Sequence, residues 1–275
     1  MIFHSVESSF SKKLSLQYKL SILAGMDSLV YFVFDPTKGT PLALRSFTYQ
    51  KPINDLTDLE RELTLIKGMD DIITLPFQKI TIITAYKPVA LVPSRLYTAE
   101  EEKTYLKELA NISEKEIVRS ETVPGFGMTA VYSVDSTLQD PFARHFPGAT
   151  TIHPAIPFLM GCREKMVQSD GTEVFAHFRD GSLAIAVFEK TNFLFFNIFS
   201  CHSAEDVMYF SMLVFDQFKL EARNTPFHLS GLVMEKSEIL RVLQLHFGNL
   251  HFIEEIPFLS IQNKFSQIPG HLYFD

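Results

Sequence analysis

The stretch GMDSLVYFVFDP (25–36) has a second, altered version in RDGSLAIAVFEK (179–190). When Ser28 is aligned with Ser182, four of the first eight positions are identical. A match this short arises by chance in a chain of 275 residues. The elements that follow each version must therefore decide whether one unit was duplicated.

The first version opens a run of three strands, a helix, a strand, a helix and a strand. Alternating and β-branched apolar residues predict the strands, and apolar residues at helical spacing predict the helices. Thr57 with Glu60, and Thr98 with Glu101, have the spacing of capping boxes that begin the two helices. The predicted elements are strands YKLSILAG (18–25), SLVYFVFD (28–35) and LALRSFTY (42–49), a helix over 56–66, strand KITIITAY (79–86), a helix from 98, and strand EIVRSETVP (116–124).

The second version opens the same run of elements. Asp180-Gly181 is a strong hairpin signal between its first two strands, and Ser203 with Asp206 forms a third capping box. The predicted elements are strands EVFAHF (173–178), SLAIAVFE (182–189) and NFLFFNIFS (192–200), a helix over 203–220, strand PFHLSGLVM (226–234), a helix over 235–247 and strand HFIEEIP (251–257).

The order βββαβαβ therefore occurs twice. Phe47 and Phe199 fall near the ends of the two third strands, and Glu121-x-x-Pro124 has a counterpart in Glu254-x-x-Pro257. Recurrence of seven elements in order is much harder to obtain by chance than a short identity, and it predicts an internal duplication.

The residues between the two copies predict further α/β structure. Strands over 128–135 and 149–153 and helices over 136–146 and 154–168 are expected to extend the first domain. A strand meander followed by crossover connections predicts a mixed sheet covered by helices. We thus predict an α/β fold with one lobe over 1–170 and a second over 171–275.

Composition narrows the possible partners and the location. A net charge of −7 argues against nucleic-acid binding, which requires clustered Lys and Arg. The first thirty residues lack the pattern of a secretory signal, and the apolar stretch FLFFNIF (193–199) is too short to cross a bilayer. We therefore expect a cytoplasmic protein that neither binds nucleic acid nor inserts into a membrane.

Two tandem βββαβα units resemble the actin-like ATPase fold, in which each lobe is built on a ribonuclease-H-like sheet. The stretch FHLSGLVMEKSEIL (227–240) is similar to the adenosine motif of that superfamily, where a strand ends in Ser/Thr-Gly-Gly before a helix. Over residues 15–257 the chain is most similar to an uncharacterised bacterial family with this fold. That family is itself distantly similar to actin-like components of pilus assembly and type II secretion.

The resemblance implies a place for a nucleotide. In active members, Gly-rich turns between the first two strands of each lobe hold phosphates, and an Asp reaches Mg²⁺. The matching residues, which would be nucleotide-binding, are Asp27, Ser28, Asp180, Gly181, Ser182, Ser230 and Gly231. Two-residue hairpins leave few free N–H groups for phosphate, and Leu232 stands where a second Gly is expected. We therefore predict a degenerate site.

Other chemistry has a weaker basis. A ribonuclease-H-like nuclease needs carboxylates on the centre of its first strand, and only Glu173, at a strand edge, is available. His153, Cys162, Cys201 and His202 lack zinc-ligand spacing, so buried thiols and no metal site are expected. Gly125-Phe126-Gly127 is interpreted as a turn between strands and not as a dinucleotide loop.

The favoured interpretation is a non-catalytic actin-like scaffold or protein-interaction module that binds another protein or itself and needs no cofactor. The alternative is an ATP-binding switch, ATPase or kinase that holds Mg-ATP in the cleft between the lobes. In that alternative, Asp27 and Asp180 orient Mg²⁺, Ser28 and Ser182 contact phosphate, and Ser230 and Gly231 border adenine. A pocket for another small molecule is a third hypothesis.

Overall fold

A computed structural model of the chain describes residues 4–25, 27–83, 88–179, 181–231 and 237–252. Parts of several predicted elements, including residues 84–86, 232–236 and 253–257, lie outside these ranges, as does Asp180. The contacts divide the described chain into two compact units, the first containing residues up to 123 and 127–154, the second containing 124–126 and 155–252.

The first unit is built on a mixed sheet. Its described elements are, in chain order, β1 (His4–Val6), β2 (Lys19–Ala24), β3 (Ser28–Asp35), β4 (Thr40–Thr48), α1 (Leu56–Met69), β5 (Lys79–Ile83), β6 (Val89–Pro93), α2 (Glu102–Leu106), β7 (Glu116–Val123), β8 (Met128–Asp135), α3 (Ser136–His145) and β9 (Thr150–Ile152). Six strands form the sheet in the order β1-β4-β3-β2-β5-β9. β2, β3 and β4 are antiparallel neighbours, whereas β5 and β9 run parallel to β2. Leu59, Leu63 and Ile66 of α1 are buried in the core of this unit, as their helical spacing predicts.

The first unit also contains a second, smaller sheet, which shows that the first repeat does not end where the sequence predicted. β7 and β8 pair with β6 in the order β6-β8-β7, and α2 packs on all three strands. The predictions that 116–124 closes the first repeat and that 128–135 extends the first sheet are therefore wrong. The fifth strand of the repeat is β9, which pairs with β5 in parallel. Strand pattern does not reveal a strand's partner, because β7 and β9 both satisfy the same local rules.

The second unit repeats the architecture without the inserted sheet. Its described elements are α4 (Ala155–Lys165), β10 (Thr172–Arg179), β11 (Ser182–Glu189), β12 (Asn192–Ser200), α5 (Ala204–Gln217), β13 (Phe227–Gly231), α6 (Glu238–His246) and β14 (Leu250–Phe252). The sheet order is β12-β11-β10-β13-β14, with β13 and β14 parallel to β10. Counted within each repeat, both sheets have the order third, second, first, fourth, fifth.

The strand registers confirm the duplication residue by residue. Leu29 pairs with Phe47 in the first unit, and Leu183 pairs with Phe199 in the second. Each sheet also carries a β-bulge at the same place, where an extra residue, Leu42 of β4 or Leu194 of β12, lies opposite the step from Val33 to Phe34 or from Val187 to Phe188. Aligning Ser28 with Ser182 aligns both bulges as well. A bulge re-aims the strand that carries it, and its retention in both copies indicates descent from one unit.

Helix capping follows the sequence in one case and differs in another. Ser203 and Asp206 form the predicted capping box at the start of α5. Helix α1, however, begins after Asp55, whose side chain accepts a hydrogen bond from the Asp58 N–H, so the predicted Thr57–Glu60 box is wrong. Asp is as good an N-cap as Ser or Thr, and the chain begins the helix two residues earlier.

Helix α4 packs in the second unit, although the sequence suggested that it extends the first. The ring of Phe158 lies 5.9 Å from that of His177 in β10 and 6.1 Å from that of Phe196 in β12. By its contacts, the chain thus passes from the first unit to the second after Pro154. Apolar periodicity identifies the buried face of a helix and leaves open which sheet the helix covers.

Candidate functional site

The first hairpin, between β2 and β3, carries Asp27 and Ser28. The last ladder pair is Ala24 with Leu29, and the Gly25 N–H donates to the Ser28 carbonyl oxygen at 2.9 Å. The Ser28 hydroxyl donates to Asp27 Oδ1 at 2.8 Å, and the Asp27 carbonyl accepts the Tyr49 N–H at 2.8 Å. The two residues proposed for phosphate and Mg²⁺ are therefore hydrogen-bonded to each other, and the turn is tied to the end of β4.

The second hairpin, between β10 and β11, has a turn of the same length, because Arg179 and Ser182 correspond to Gly25 and Ser28, which close the first turn. Arg179 pairs with Ser182, so two residues form the loop, of which Asp180 lies outside the described ranges. Gly181 has a φ of 72°, which favours glycine, and its carbonyl accepts the Cys201 N–H at 2.8 Å. Ser182 pairs with Ser200 of β12. This turn is thus held against the end of the third strand, like the first.

The fourth strand of the second unit carries Ser230 and Gly231. Phe178 pairs with Gly231 on one side of β10 and with Leu183 on the other. The fold therefore brings Gly181, Ser182, Ser230 and Gly231 to the same end of the strands of the second sheet, where β10 and β13 finish and β11 begins. Asp27 and Ser28 occupy the corresponding hairpin of the first sheet.

The side chain of Ser230 is engaged inside this sheet. Ser230 is buried, its hydroxyl donates to the Ala176 carbonyl at 3.1 Å, and it lies 2.9 Å from Nδ1 of His177. A hydroxyl held by two groups of the neighbouring strand needs no ligand to satisfy it.

Gly231 is required by the close approach of β10. Its φ is 87°, and a Cβ at this position would lie 2.1 Å from the carbonyl oxygen of Phe178. Real Cβ contacts under 3.0 Å are essentially absent. The glycine of the adenosine-like motif is therefore explained by packing between two strands of the sheet.

A polar cluster that sequence reasoning did not identify lies near the opposite end of the same strands, where β10 and β13 begin. Glu173 Oε2 of β10 lies 2.5 Å from Nε2 of His228 of β13, and the Ser169 hydroxyl donates to Glu173 Oε1 at 2.5 Å. His228 stacks on Phe175, with ring centroids 4.7 Å apart. Because Glu173 and His228 are 55 residues apart, no local motif reports the pair.

The cluster has the chemistry of a buried structural pair. The hydrogen bond with His228 lowers the pKa of Glu173, and the Ser169 hydroxyl adds to this effect. Burial lowers the pKa of His228, with partial opposition from Glu173. The serine bonds to the carboxylate and not to the imidazole, so the arrangement lacks the serine–histidine contact that activates a nucleophile.

Both cysteines are buried, as expected. Burial raises the pKa of the Cys201 thiol to about 11 and also raises the pKa of the Cys162 thiol. Thiols of this kind are protonated and unreactive at neutral pH. Across the described ranges, no group of three or more His, Cys, Asp or Glu side chains is arranged to hold a metal ion. The Gly125-Phe126-Gly127 stretch forms the turn between β7 and β8, as predicted.

A cavity of about 310 Å³ opens in the first unit between β4 and α1. Its lining includes the charged residues Arg45 and Glu62 and the apolar residues Phe47 and Met69. Arg45 Nη1 lies 3.1 Å from Asp70 Oδ1, and Glu62 Oε2 accepts the Gln50 N–H at 3.2 Å. Glu62 Oε1 also lies 3.4 Å from Arg61 Nη2, so each of the two charged groups has an oppositely charged neighbour in the protein.

Comparison with solved structures identifies the class of fold. A Bacteroides thetaiotaomicron protein described as having an actin-like ATPase fold and unknown function superposes with a TM-score of 0.76 at 18% identity, over 97% of this chain and 99% of that chain. A chain of the PilM–PilN type IV pilus biogenesis complex gives 0.59 at 10% identity, over 93% and 95%. The cytoplasmic domain of EpsL from the Vibrio cholerae type II secretion system gives 0.40 at 10% identity, over 83% and 94%.

The protein therefore has the actin-like ATPase fold, as the resemblance implied. The chain belongs to the family described as "Protein of unknown function (DUF3822)", whose model matches residues 7–250. No curated protein is significantly similar to it in sequence. In the described part of the chain, no helix is both long and apolar enough to span a membrane.

Proposed function

We propose that this protein acts by binding another protein or a second copy of itself, and that it does so without nucleotide turnover. The observation that carries the proposal is the internal use of the adenosine-like motif. Ser230 is hydrogen-bonded within the sheet, and Gly231 accommodates the backbone of Phe178. A motif that the fold itself requires gives no reason to invoke adenine.

The two hairpins support the same proposal. The Gly25 amide closes the first turn, and the Gly181 carbonyl is bonded to the Cys201 N–H. Phosphate binding in turns depends on several convergent N–H groups that are free to point at the anion. Turns of two residues, each bonded to its own sheet, offer few such donors.

The comparison with a pilus protein supports the binding half of the proposal. The PilM–PilN structure is, by its description, a complex of two proteins. A fold shared at 10% identity does not transfer a partner. We therefore propose only that this chain, too, is a scaffold, and that it works in the cytoplasm.

Mg-ATP binding is the second candidate, and the fold is the observation that favours it. In this alternative, Asp27 and Asp180 orient the metal, Ser28 and Ser182 contact phosphate, and Ser230 and Gly231 border the base. Thermal melting of the full chain with and without millimolar Mg-ATP separates the two candidates. We expect no change in melting temperature.

A bound nucleotide would be easy to detect. A ligand at a hundred times its dissociation constant stabilises a folded protein by about 2.7 kcal/mol, which raises the melting temperature of a chain of this size by roughly 5 °C. Such a rise, lost in Asp27→Ala and Asp180→Ala but kept in Asp170→Ala, would refute the proposal. Asp170 is a suitable control because it is exposed and lies outside the predicted site.

A further inference from the structure

The two repeats differ at one edge of their sheets. In the first unit, β1 pairs in antiparallel fashion with the outer side of β4, opposite Ala43, Leu44 and Arg45. In the second unit, β12 occupies the equivalent edge, and no strand of the described chain pairs with its outer side. The shared bulge and register place Phe195, Phe196 and Asn197 at the positions that β1 covers in the first unit.

The composition of β12 is unusual for an open edge. The strand has nine residues, NFLFFNIFS, of which six are apolar and none is charged. Leu194 at the bulge is 43% exposed. Proteins usually protect an open edge with a short strand, a Lys or a Pro, and a long apolar edge is a template for pairing with another chain. The protection here is limited to the bulge and to the Asn197 side chain, which accepts the Ile198 N–H at 2.9 Å.

The apolar surface continues from β12 onto α5. Phe199 stacks on Phe210 of the helix with ring centroids 4.5 Å apart, and the Tyr209 ring lies 5.2 Å from that of Phe210. Tyr209 is 59% exposed and Leu213, one turn later, is 44% exposed. The all-round apolar character of this helix suggests burial on more than one side, yet among the described residues Tyr209 and Leu213 remain exposed on this side. The edge strand and the helix thus form one exposed apolar surface, which we call the β12 surface.

We propose that the β12 surface binds the β12 surface of a second copy of this chain, the two strands pairing antiparallel about a twofold axis at Phe196. This inference rests on the proposed protein-binding function and names the partner. It makes the two five-stranded sheets continuous, as β1 extends the sheet of the first unit. A twofold axis requires the surface to be complementary to itself.

The β12 sequence meets that requirement. Antiparallel pairing about Phe196 places Phe196 opposite its own copy, Phe195 opposite Asn197, and the bulge residue Leu194 together with Phe193 opposite Ile198. Apolar residues thus meet apolar residues in most pairs, and no charges face each other. Cross-strand apolar and aromatic pairs stabilise a sheet, whereas like charges directly opposite destabilise it. The chain has a net charge of −7, and β12 is a stretch on which that charge creates no direct repulsion.

The first test measures mass in solution. Sedimentation over two decades of concentration is expected to show the wild-type chain as a monomer–dimer equilibrium. Leu194→Lys, which places a charge opposite Ile198, is expected to weaken the dimer at least about tenfold, equivalent to about 1.4 kcal/mol. Leu245→Lys is the matched control, because Leu245 lies on α6 of the same unit and is 62% exposed. A wild-type monomer at every concentration, or equal weakening by Leu245→Lys, would overturn the inference.

A second test does not depend on a destabilising substitution. Asn197→Cys puts an exposed thiol near the twofold axis, where a short bis-maleimide is expected to join two copies in high yield. The natural Cys162 and Cys201 are each 1% exposed and do not compete. Ile117→Cys, on the 43% exposed position of β7, is the control and is expected to remain uncross-linked. Cross-linking of Ile117→Cys in place of Asn197→Cys would overturn the inference by showing contact at another edge.

The dimer and the proposed function fail in different experiments. If the chain is a monomer and its melting temperature does not respond to Mg-ATP, pairing through β12 is excluded and the proposed function remains intact. The β12 edge would then be covered by a different protein or by another segment of this chain. A dimer that Mg-ATP stabilises through Asp27 and Asp180 would refute the nucleotide-free function and leave the β12 pairing intact.

Discussion

Replacing Gly231 with alanine separates a packing glycine from a ligand-binding glycine. A Cβ at this position would lie 2.1 Å from the Phe178 oxygen and 2.9 Å from the Phe178 carbonyl carbon and nitrogen. All three are backbone atoms of β10, so rotation of a side chain cannot relieve the contact. The two strands must instead separate by at least roughly 1.3 Å to restore an ordinary contact distance.

The expected loss of stability has two sources. A left-handed conformation costs a non-glycine residue roughly 1–2 kcal/mol. Separating the strands weakens the hydrogen bonds around the Phe178–Gly231 pair, at about 1 kcal/mol each. We expect Gly231→Ala to lower the free energy of unfolding by about 3 kcal/mol in total.

Gly181→Ala is the matched control. Gly181 lies in the same unit with a φ of 72°, but a Cβ there would lie 3.4 Å from its nearest neighbour, the Cys201 oxygen. This variant bears only the conformational term, about 1–2 kcal/mol. Urea unfolding followed by far-ultraviolet circular dichroism measures both variants.

Equal losses in the two variants would refute the reasoning, because the contact with Phe178 would then contribute nothing. A Gly231→Ala variant of undiminished stability would also return Gly231 to the list of residues available to adenine. In that case the internal use of the motif, on which the proposed function depends, would have to be abandoned.

Three further predictions test other contacts. Ser230→Ala removes a buried hydroxyl that donates to Ala176, and it should lower the free energy of unfolding, measured in urea, by about 1 kcal/mol. It should leave the effect of Mg-ATP on the melting temperature unchanged. A changed effect would place Ser230 at a nucleotide. Asp55→Ala should cost about 1 kcal/mol in the same assay, whereas Thr57→Ala should cost little; the opposite ranking would restore the capping box that the structure excludes. Because the pKa of Glu173 is lowered in the folded chain, the unfolded chain binds more protons as the pH falls below about 4.3. The stability that ionised Glu173 contributes should thus be present above that pH and lost below it. Glu173→Gln should therefore make the free energy of unfolding depend less steeply on pH in the acid range. An unchanged slope would contradict the hydrogen-bonded carboxylate.

The duplication was accessible from sequence because it is written in local patterns. The continuous apolar runs of β3 and β11, the Asp180-Gly181 turn signal and the Ser203 capping box each depend on residues close together in the chain. Local backbone preference and the period of apolar residues determine such features. The register of each hairpin then follows, because the length of its turn fixes how the two strands pair.

The extent of the first repeat was not accessible in the same way. β7 and β9 are both strands that follow a helix, and the local sequence pattern favoured β7 as the strand that closes the first repeat. The fold instead places β7 in the inserted sheet and β9 beside β5. Pairing between strands depends on the packing of distant side chains, which no window along the chain samples.

The candidate site shows the same division. From the sequence came the hairpins, the position of Ser230-Gly231 at the end of a strand, and the expectation that turns of two residues are too tight for phosphate. The contacts of Ser230 with Ala176 and of Gly231 with Phe178 required the neighbouring strand, more than fifty residues away. The pairing of Glu173 with His228 depended on the same parallel neighbours.

What the sequence alone determined is therefore the repeated unit, with its strands, turns and helix starts, because these arise from interactions between residues a few positions apart. Only the tertiary structure decided which strand closes the first repeat, which polar groups are already satisfied, and that β12 lacks the neighbour that β1 provides to β4 within the described chain. Those outcomes depend on hydrogen bonds and contacts between segments far apart in the chain, which exist only once the sheets have assembled.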